Sequence, residues 1–431
     1  MSKWLVFRIL VICLVVAYTV GAFFPSPLME AKNTLKSLVK DYNAYLQIKP
    51  TNQLRDSTYD GAGVTINESG KTQPGNTFMA GFFDNAPSLR LIKPDGELIH
   101  EWKPDIGNIL TTQTHIKGKQ IPFNNWFYDI HGAALLPDGG VAFNVSNYIF
   151  VKMNVCGEVE WTVPYMGHHV VFAAEDNTYW VASRNFHDKK LEKYPGLKAP
   201  FWEDTVIQVD DKGTLLREIS VLDVFEKNDL WGQVFAGHTP HPTTGGDFTH
   251  LNNVDVLDSK RAHLFPGLDA GDVMMSIRNP NLVVIFDPDT LEVKWSQTGP
   301  WVRQHDPDFT DTGEIAVYDN RNDGMMQKGH FGGSRIVMIK PEVPMGGEVR
   351  IAFQNSEETP FFSPKQGTVN VLENQNMLIT ETHTGRVFEV TPDGEVVWTY
   401  INAYDDNKIA SVIYAERVAS DYAISAIEAC K

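Results

Sequence analysis

His131-Gly-Ala-Ala-Leu-Leu-Pro-Asp-Gly-Gly-Val-Ala-Phe143 reads as a strand, a tight turn and a returning strand. Small and apolar residues run into Pro-Asp-Gly-Gly, the residues a sharp reversal needs, and an apolar run leaves it. A second phrase follows, from Phe150 to Gly157, and its last strand carries Trp161. Two hairpins in succession make a four-stranded antiparallel sheet. The second phrase occurs six times: 89–96 before Trp102, 150–157 before Trp161, 206–213 before Leu216, 283–290 before Trp295, 336–347 before Ile351 and 387–394 before Trp398. Five copies are preceded by an opening hairpin, starting at His131, His169, His250, His305 and Thr368. Repetition at this spacing is the signature of a β-propeller.

The first copy has only one preceding strand, from Thr77 to Phe82. The stretch Ala410-Ser-Val-Ile-Tyr-Ala415 supplies the missing one, because joining the two chain ends removes an open sheet edge. The expected fold is therefore all-β, a six-bladed β-propeller closed by N- and C-terminal strands, spanning residues 75–431. A β-sandwich or an open repeat array is the alternative.

Ahead of the repeats, Trp4 to Phe24 is apolar apart from Arg8, and Lys3 and Arg8 flank its N-terminal side. This predicts a signal anchor or transmembrane helix within residues 1–30, with the body exported to the periplasmic or extracellular side. Residues 31–74 are expected to form a helical stalk, with Leu35, Leu38, Val39, Tyr42, Tyr45 and Leu46 on one face, and then a polar linker or irregular loop from Pro50 to Gln73.

Composition excludes some functions. The 431 residues carry a net charge of −17, which disfavours nucleic acid, since phosphate neutralisation needs Lys and Arg. The three cysteines, Cys13, Cys156 and Cys430, include no CxxC pair, so a thiolate metal or redox site is not expected. A Cys156–Cys430 bridge is neither required nor forbidden. Asn67-Glu-Ser69 and Asn144-Val-Ser146 have the form of glycosylation sequons.

The histidines carry the functional signal. His131, His169, His250 and His305 open four of the five hairpins, and the first strand of each blade lines a propeller's axis. Equivalent positions therefore converge. Asn252, two residues after His250, shares its strand face. Arg278 ends the next strand of that repeat, and Arg184 holds the equivalent place one repeat earlier; an interblade ion pair is the alternative for Arg184. Asp306 is expected to face away from His305. An arginine in the cluster disfavours a metal cation and suits an oxyanion. Imidazole can serve as nucleophile or as acid and base near neutrality. Residue chemistry alone reaches an anion-handling His/Arg site. Trp126, Phe127 and Tyr128 can line an entrance or pack between blades.

The run Phe248-Thr-His250-Leu-Asn252, then 271–279 with Arg278, Gln304-His305-Asp306, Ile315 to Asn320, Ser334-Arg335 and Val412 to Arg417 resembles the arylsulfotransferase family. The resemblance implies transfer of a sulfuryl group from a small-molecule aryl sulfate donor to a phenolic acceptor, without a cofactor or metal, through a sulfohistidine. It assigns His305 as nucleophile, His250, Asn252 and Arg278 as holders of the sulfuryl oxygens, and His131 as general acid and base. Arg184 and His169 are expected to contact substrate. In this chain His131 is followed by Gly132, where many relatives have Asp. A hydrolase or lyase of another anionic ester, a metal enzyme, and a non-catalytic exported propeller binding a partner or polysaccharide are the competing readings.

Overall fold

The computed structural model describes residues 53–116, 121–122, 125–236, 244–324 and 330–430. The expected anchor and stalk helix lie outside the described residues. Among the described residues no helix is long and apolar enough to cross a membrane.

The chain folds into antiparallel sheets of four strands laid down in order. The second to sixth begin with the inner strands Ile130–Leu135, Val171–Ala173, Leu251–Val256, His305–Phe309 and Thr368–Val371. The first sheet takes its inner strand, Val412–Val418, from the C-terminal end of the chain; it pairs with Asn76–Phe83, with Ala415 opposite Met79. Each inner strand lies against the inner strand of the next sheet, and Val412–Val418 returns to Ile130–Leu135. The circuit is closed, and the architecture is a β-propeller.

No single core holds this ring together. Instead, each pair of neighbouring sheets shares an apolar layer. Strand periodicity explains this: along Leu282–Phe286, Leu282, Val284 and Phe286 pack towards the third sheet, while Val283 and Ile285 pack towards the fifth. Alternate side chains face opposite sides of a sheet, and here both sides are buried. Outer-strand tryptophans fill these layers, among them the fully buried Trp102, Trp295 and Trp398.

Residues 53–73, read from sequence as a linker or irregular loop, are partly ordered β-structure. Gly63–Asn67 adds a fifth strand to the sixth sheet, against Val396–Ile401. Leu54–Asp56 pairs with Lys408–Ala410 in a small three-stranded sheet. The polar composition of this stretch hid both strands, because their partners lie near the other end of the chain, Gly63 opposite Ile401 and Leu54 opposite Ala410, and the strands sit at sheet edges. Cys156 and Cys430 form a disulfide, fastening the C-terminal helix Ile424–Cys430 to the second sheet. Asn144 is fully buried, and its Nδ2 donates to the Val170 carbonyl; that sequon is inaccessible in the folded chain.

Candidate active site

The ring brings His131, His169, His250 and His305 together at the axis. The His169 ring centroid lies 4.1 Å from that of His131, 5.2 Å from that of His250 and 6.2 Å from that of His305. His169 and His250 enter their sheets at equivalent points, and both adopt left-handed backbone, with φ of 58° and 57°. Gly132 permits the approach of the neighbouring sheet: a Cβ there would stand 1.8 Å from the His169 carbonyl oxygen. Gly132 after His131 thus has a packing reason.

A cavity of about 510 Å³ opens above the cluster, a size suited to a small molecule. His131, His169, His250, His305, Arg184 and Arg278 all border it. Asn252 does not; it lines a smaller cavity below, beside His131, His169, His305 and Asp306. Its Nδ2 donates to the Gln304 carbonyl at 2.7 Å. Asn252 therefore braces the peptide next to His305.

His305 is held in one tautomer. Asn320 Nδ2 donates to the carbonyls of Ser363, at 2.8 Å, and Gln366, at 2.7 Å. That orientation leaves Asn320 Oδ1 as acceptor, 2.7 Å from His305 Nδ1. The proton is thus on Nδ1, and Nε2 carries the lone pair. The Gln366 backbone N–H donates to Nε2 at 3.3 Å, a long bond that an electrophile can displace. Burial first, then the Arg278 charge, keeps the imidazole well below its usual titration range despite the opposing Asn320 bond, so the ring is neutral.

The other histidines differ. His131 is depressed to about 3 by burial, then by His250 and Arg184, and its Nε2 accepts from Gln366 Nε2 at 3.1 Å. His169 Nδ1 lies 2.7 Å from His168 Nδ1. His168 Nε2 in turn faces Asp204 Oδ1 at 3.7 Å, beyond hydrogen-bond range, and neither atom has a hydrogen-bond partner among the described residues. His250 Nδ1 contacts Asp247 Oδ2 at 2.5 Å. Asp247 stays below its ordinary range although burial opposes this, because His250 hydrogen-bonds it.

The two arginines are cations without a carboxylate partner among the described residues. Arg184 stacks on Trp202, with the guanidinium carbon 4.2 Å from the ring centre, and its Nε has no hydrogen-bond partner among the described residues. The interblade ion pair considered for it is not found among them. Among the described residues Arg278 bonds its neighbour, Asn279 Oδ1, at 3.3 Å, and desolvation followed by repulsion from Arg303 lowers it to about 10. It remains charged at neutral pH.

Sequence reasoning missed several residues here. His168 stood beside a chosen histidine, but its place off the repeat register concealed it. Asn320 was quoted in the family pattern without a role. Asp247, Lys365 and Gln366 come from loops, and His383 from the one-turn 3-10 helix Thr382–Thr384; none carries a periodic signal. Of the three aromatics before His131, Tyr128 packs in the layer between the first two sheets and donates its hydroxyl to Pro122 O; Trp126 packs against Leu54, Phe82 and Ala410. Asp306 turns down from the cluster to accept the Val369 N–H at 2.7 Å.

A model of the arylsulfotransferase (ASST) family matches residues 132–403. No curated protein matches the chain. Among solved structures, it resembles a protein of unknown function from Bacteroides caccae, at 13% identity and a TM-score of 0.48, covering 80% of this chain and 98% of that one. It also resembles virginiamycin B lyase from Staphylococcus aureus, at 12% identity and a TM-score of 0.36, covering 64% and 71%. A third is the Myceliophteria thermophila Cps50 (Swd1) β-propeller domain, at 8% identity and a TM-score of 0.41, covering 80% and 88%. At such distances nothing of their chemistry transfers to this chain.

Proposed function

The chain belongs to the arylsulfotransferase family, and on that premise we propose that it moves a sulfuryl group from an aryl sulfate ester to a phenol through His305. The observation that carries this reading is the Nε2 lone pair of a neutral, Asn320-locked imidazole beside a cavity bordered by Arg184, Arg278 and His250.

In the first half-reaction Nε2 attacks sulfur. The N–S bond forms, the ester S–O bond breaks, and the departing phenolate takes a proton from a histidine. Arg278 and His250, the latter held by Asp247, contact the sulfuryl oxygens as charge redistributes. His131 supplies the proton. Burial first, then His250 and Arg184, keep its proton affinity low; an arriving anion offsets the cationic part and favours the charged form, and a weakly held proton is readily given to phenolate. In the second half-reaction the acceptor hydroxyl attacks sulfur, the N–S bond breaks, and the acceptor's proton returns to His131. Atoms and protons balance, and no cofactor enters. His169, braced by His168, and Arg184 border the space for the aryl group, and Asn252 positions Gln304.

We also read the six sheets as six blades, and residues 1–30, 31–74 and 75–431 as anchor, stalk with linker, and propeller. The apolar run after Lys3 and Arg8 supports a membrane anchor with the propeller exported. The Cys156–Cys430 disulfide suits an oxidising compartment.

The test is release of 4-nitrophenol from 4-nitrophenyl sulfate, with and without phenol, by wild type and His305→Ala. Phenol-dependent release that the substitution abolishes is expected. Equal release by both proteins would remove His305 from the mechanism.

A further inference from the structure

The cavity has two cationic ends. Arg184, His250 and Arg278 come from the third and fourth sheets. Across the axis, the wall is built by the sixth sheet, the loop before it and the N-terminal strand. Arg55, Lys365, Thr382 and His383 border the cavity there. Nothing in the sulfuryl chemistry above uses them.

This second end has the chemistry of an anion site. Lys365 is exposed and makes no ion pair among the described residues. Arg55 sits at the same rim, with Nη1 donating to the Leu54 carbonyl. The Thr382 hydroxyl is fully buried and has no hydrogen-bond partner among the described residues, although the residue borders the cavity. A buried hydroxyl left without a partner is costly, and a turn of its side chain towards the cavity would let a ligand oxyanion accept from it. His383 is close enough to both cations to feel them: burial, then Arg55, then Lys365, depress it to about 4. The carboxylates bordering the cavity are engaged elsewhere, Asp129 with Gln53 and Asp247 with His250. This concentration of cations inside a chain of net charge −17 is directed at the cavity.

We propose that Arg55, Lys365, Thr382 and His383 form a second oxyanion subsite, so that the preferred substrate is an aromatic compound carrying a carboxylate, sulfonate or sulfate on the side opposite the transferred group. The assignment of which end handles the transferred sulfuryl rests on the transferase reading; the two-ended anion preference does not. The full-length chain is titrated calorimetrically with two unreactive probes, benzenesulfonate and 1,4-benzenedisulfonate, as wild type, Lys365→Ala and Thr382→Val. Charge-assisted bonds at a half-buried site predict that wild type binds the dianion about tenfold more tightly or better. Lys365→Ala is expected to reduce that advantage to about threefold or less, and Thr382→Val, which keeps the side-chain shape, to diminish it. Equal affinity of wild type for both probes overturns the subsite, as does an advantage that survives both substitutions. Turnover of 4-nitrophenyl sulfate by the same wild-type preparation separates the two readings. A dianion preference without turnover leaves the subsite standing and removes the transferase. Turnover without the preference does the reverse.

Discussion

Replacing Asn320 with alanine removes three interactions at once: the acceptor for His305 Nδ1 at 2.7 Å and the donors to the Ser363 and Gln366 carbonyls at 2.8 and 2.7 Å. Leaving buried backbone acceptors unmatched costs roughly 1–3 kcal/mol apiece, so the variant is expected to lose about 2–4 kcal/mol of stability, the Ser363 carbonyl retaining a bond from Ser334 Oγ. The catalytic loss is separate. As Nε2 bonds to sulfur, positive charge develops on the ring and the Nδ1–H bond to Asn320 becomes charge-assisted, worth about 1.5–3 kcal/mol. Its loss, together with freedom of the ring proton to move to Nε2, predicts a first turnover about 10- to 150-fold slower. The assay is the burst of 4-nitrophenol from 4-nitrophenyl sulfate, at a temperature where urea titration shows the variant folded. Asn320→Asp separates tautomer from charge. A carboxylate keeps the acceptor but raises the affinity of His305 for a second proton. Since only neutral His305 attacks, the acid limb of the rate profile then moves to higher pH. A folded Asn320→Ala whose first turnover matches wild type, with an unmoved pH profile for Asn320→Asp, would refute the claim that Asn320 sets the nucleophile.

Two further outcomes follow from the same geometry. His131 is depressed to about 3 from an ordinary 6.5, so the unfolded chain binds more protons between those values. Stability is fully present above pH 6.5 and declines as pH falls; at pH 5 the His131 share of the loss is roughly 2 kcal/mol. Asp129 and Asp204, each raised to about 6, act in the opposite sense, so the measurement is the pH 7.5-to-5 change in urea stability of wild type minus that of His131→Gln; a difference near zero counts against a buried neutral His131. At the ring closure, the Arg417 side chain on the last strand is 2% exposed and pairs with the fully buried Glu389 at 2.8 Å; Arg417→Met is expected to cost about 3 kcal/mol by removing the cation from a buried carboxylate whose other oxygen keeps bonds from the Gln73 N–H and Asn376, read as a drop in thermal midpoint on the order of 5 °C, and an unchanged midpoint would contradict it.

Much of this protein was legible in its sequence, because the signals involved are local. Pro-Asp-Gly turns between apolar runs specify hairpins wherever they occur, and their repetition specified stacked sheets whose alternate residues face two neighbours. Even the closing strand at 410–415 could be inferred, since one repeat lacked a partner. The strand-entry histidines were legible for the same reason: His131, His169, His250 and His305 occupy equivalent places in a repeat, and a ring makes equivalent places meet. Only the structure decided what surrounds them. Gln366 reaches His305 and His131 from the loop before the sixth sheet; Asn320, just past the strand paired with that of His305, and Asp247, three residues before His250, are nearer in the chain but carry no periodic signal. Gln53 and Arg55 come from a stretch too polar to suggest a strand until Lys408–Ala410 is beside it. Asn252 shares a strand face with His250 by periodicity, yet the left-handed turn at His250 lifts one side chain into the upper cavity and leaves the other below. Periodicity specifies a face of a strand; the depth of a side chain along the axis, and the partner that sets its proton, depend on how strands and turns are placed in three dimensions.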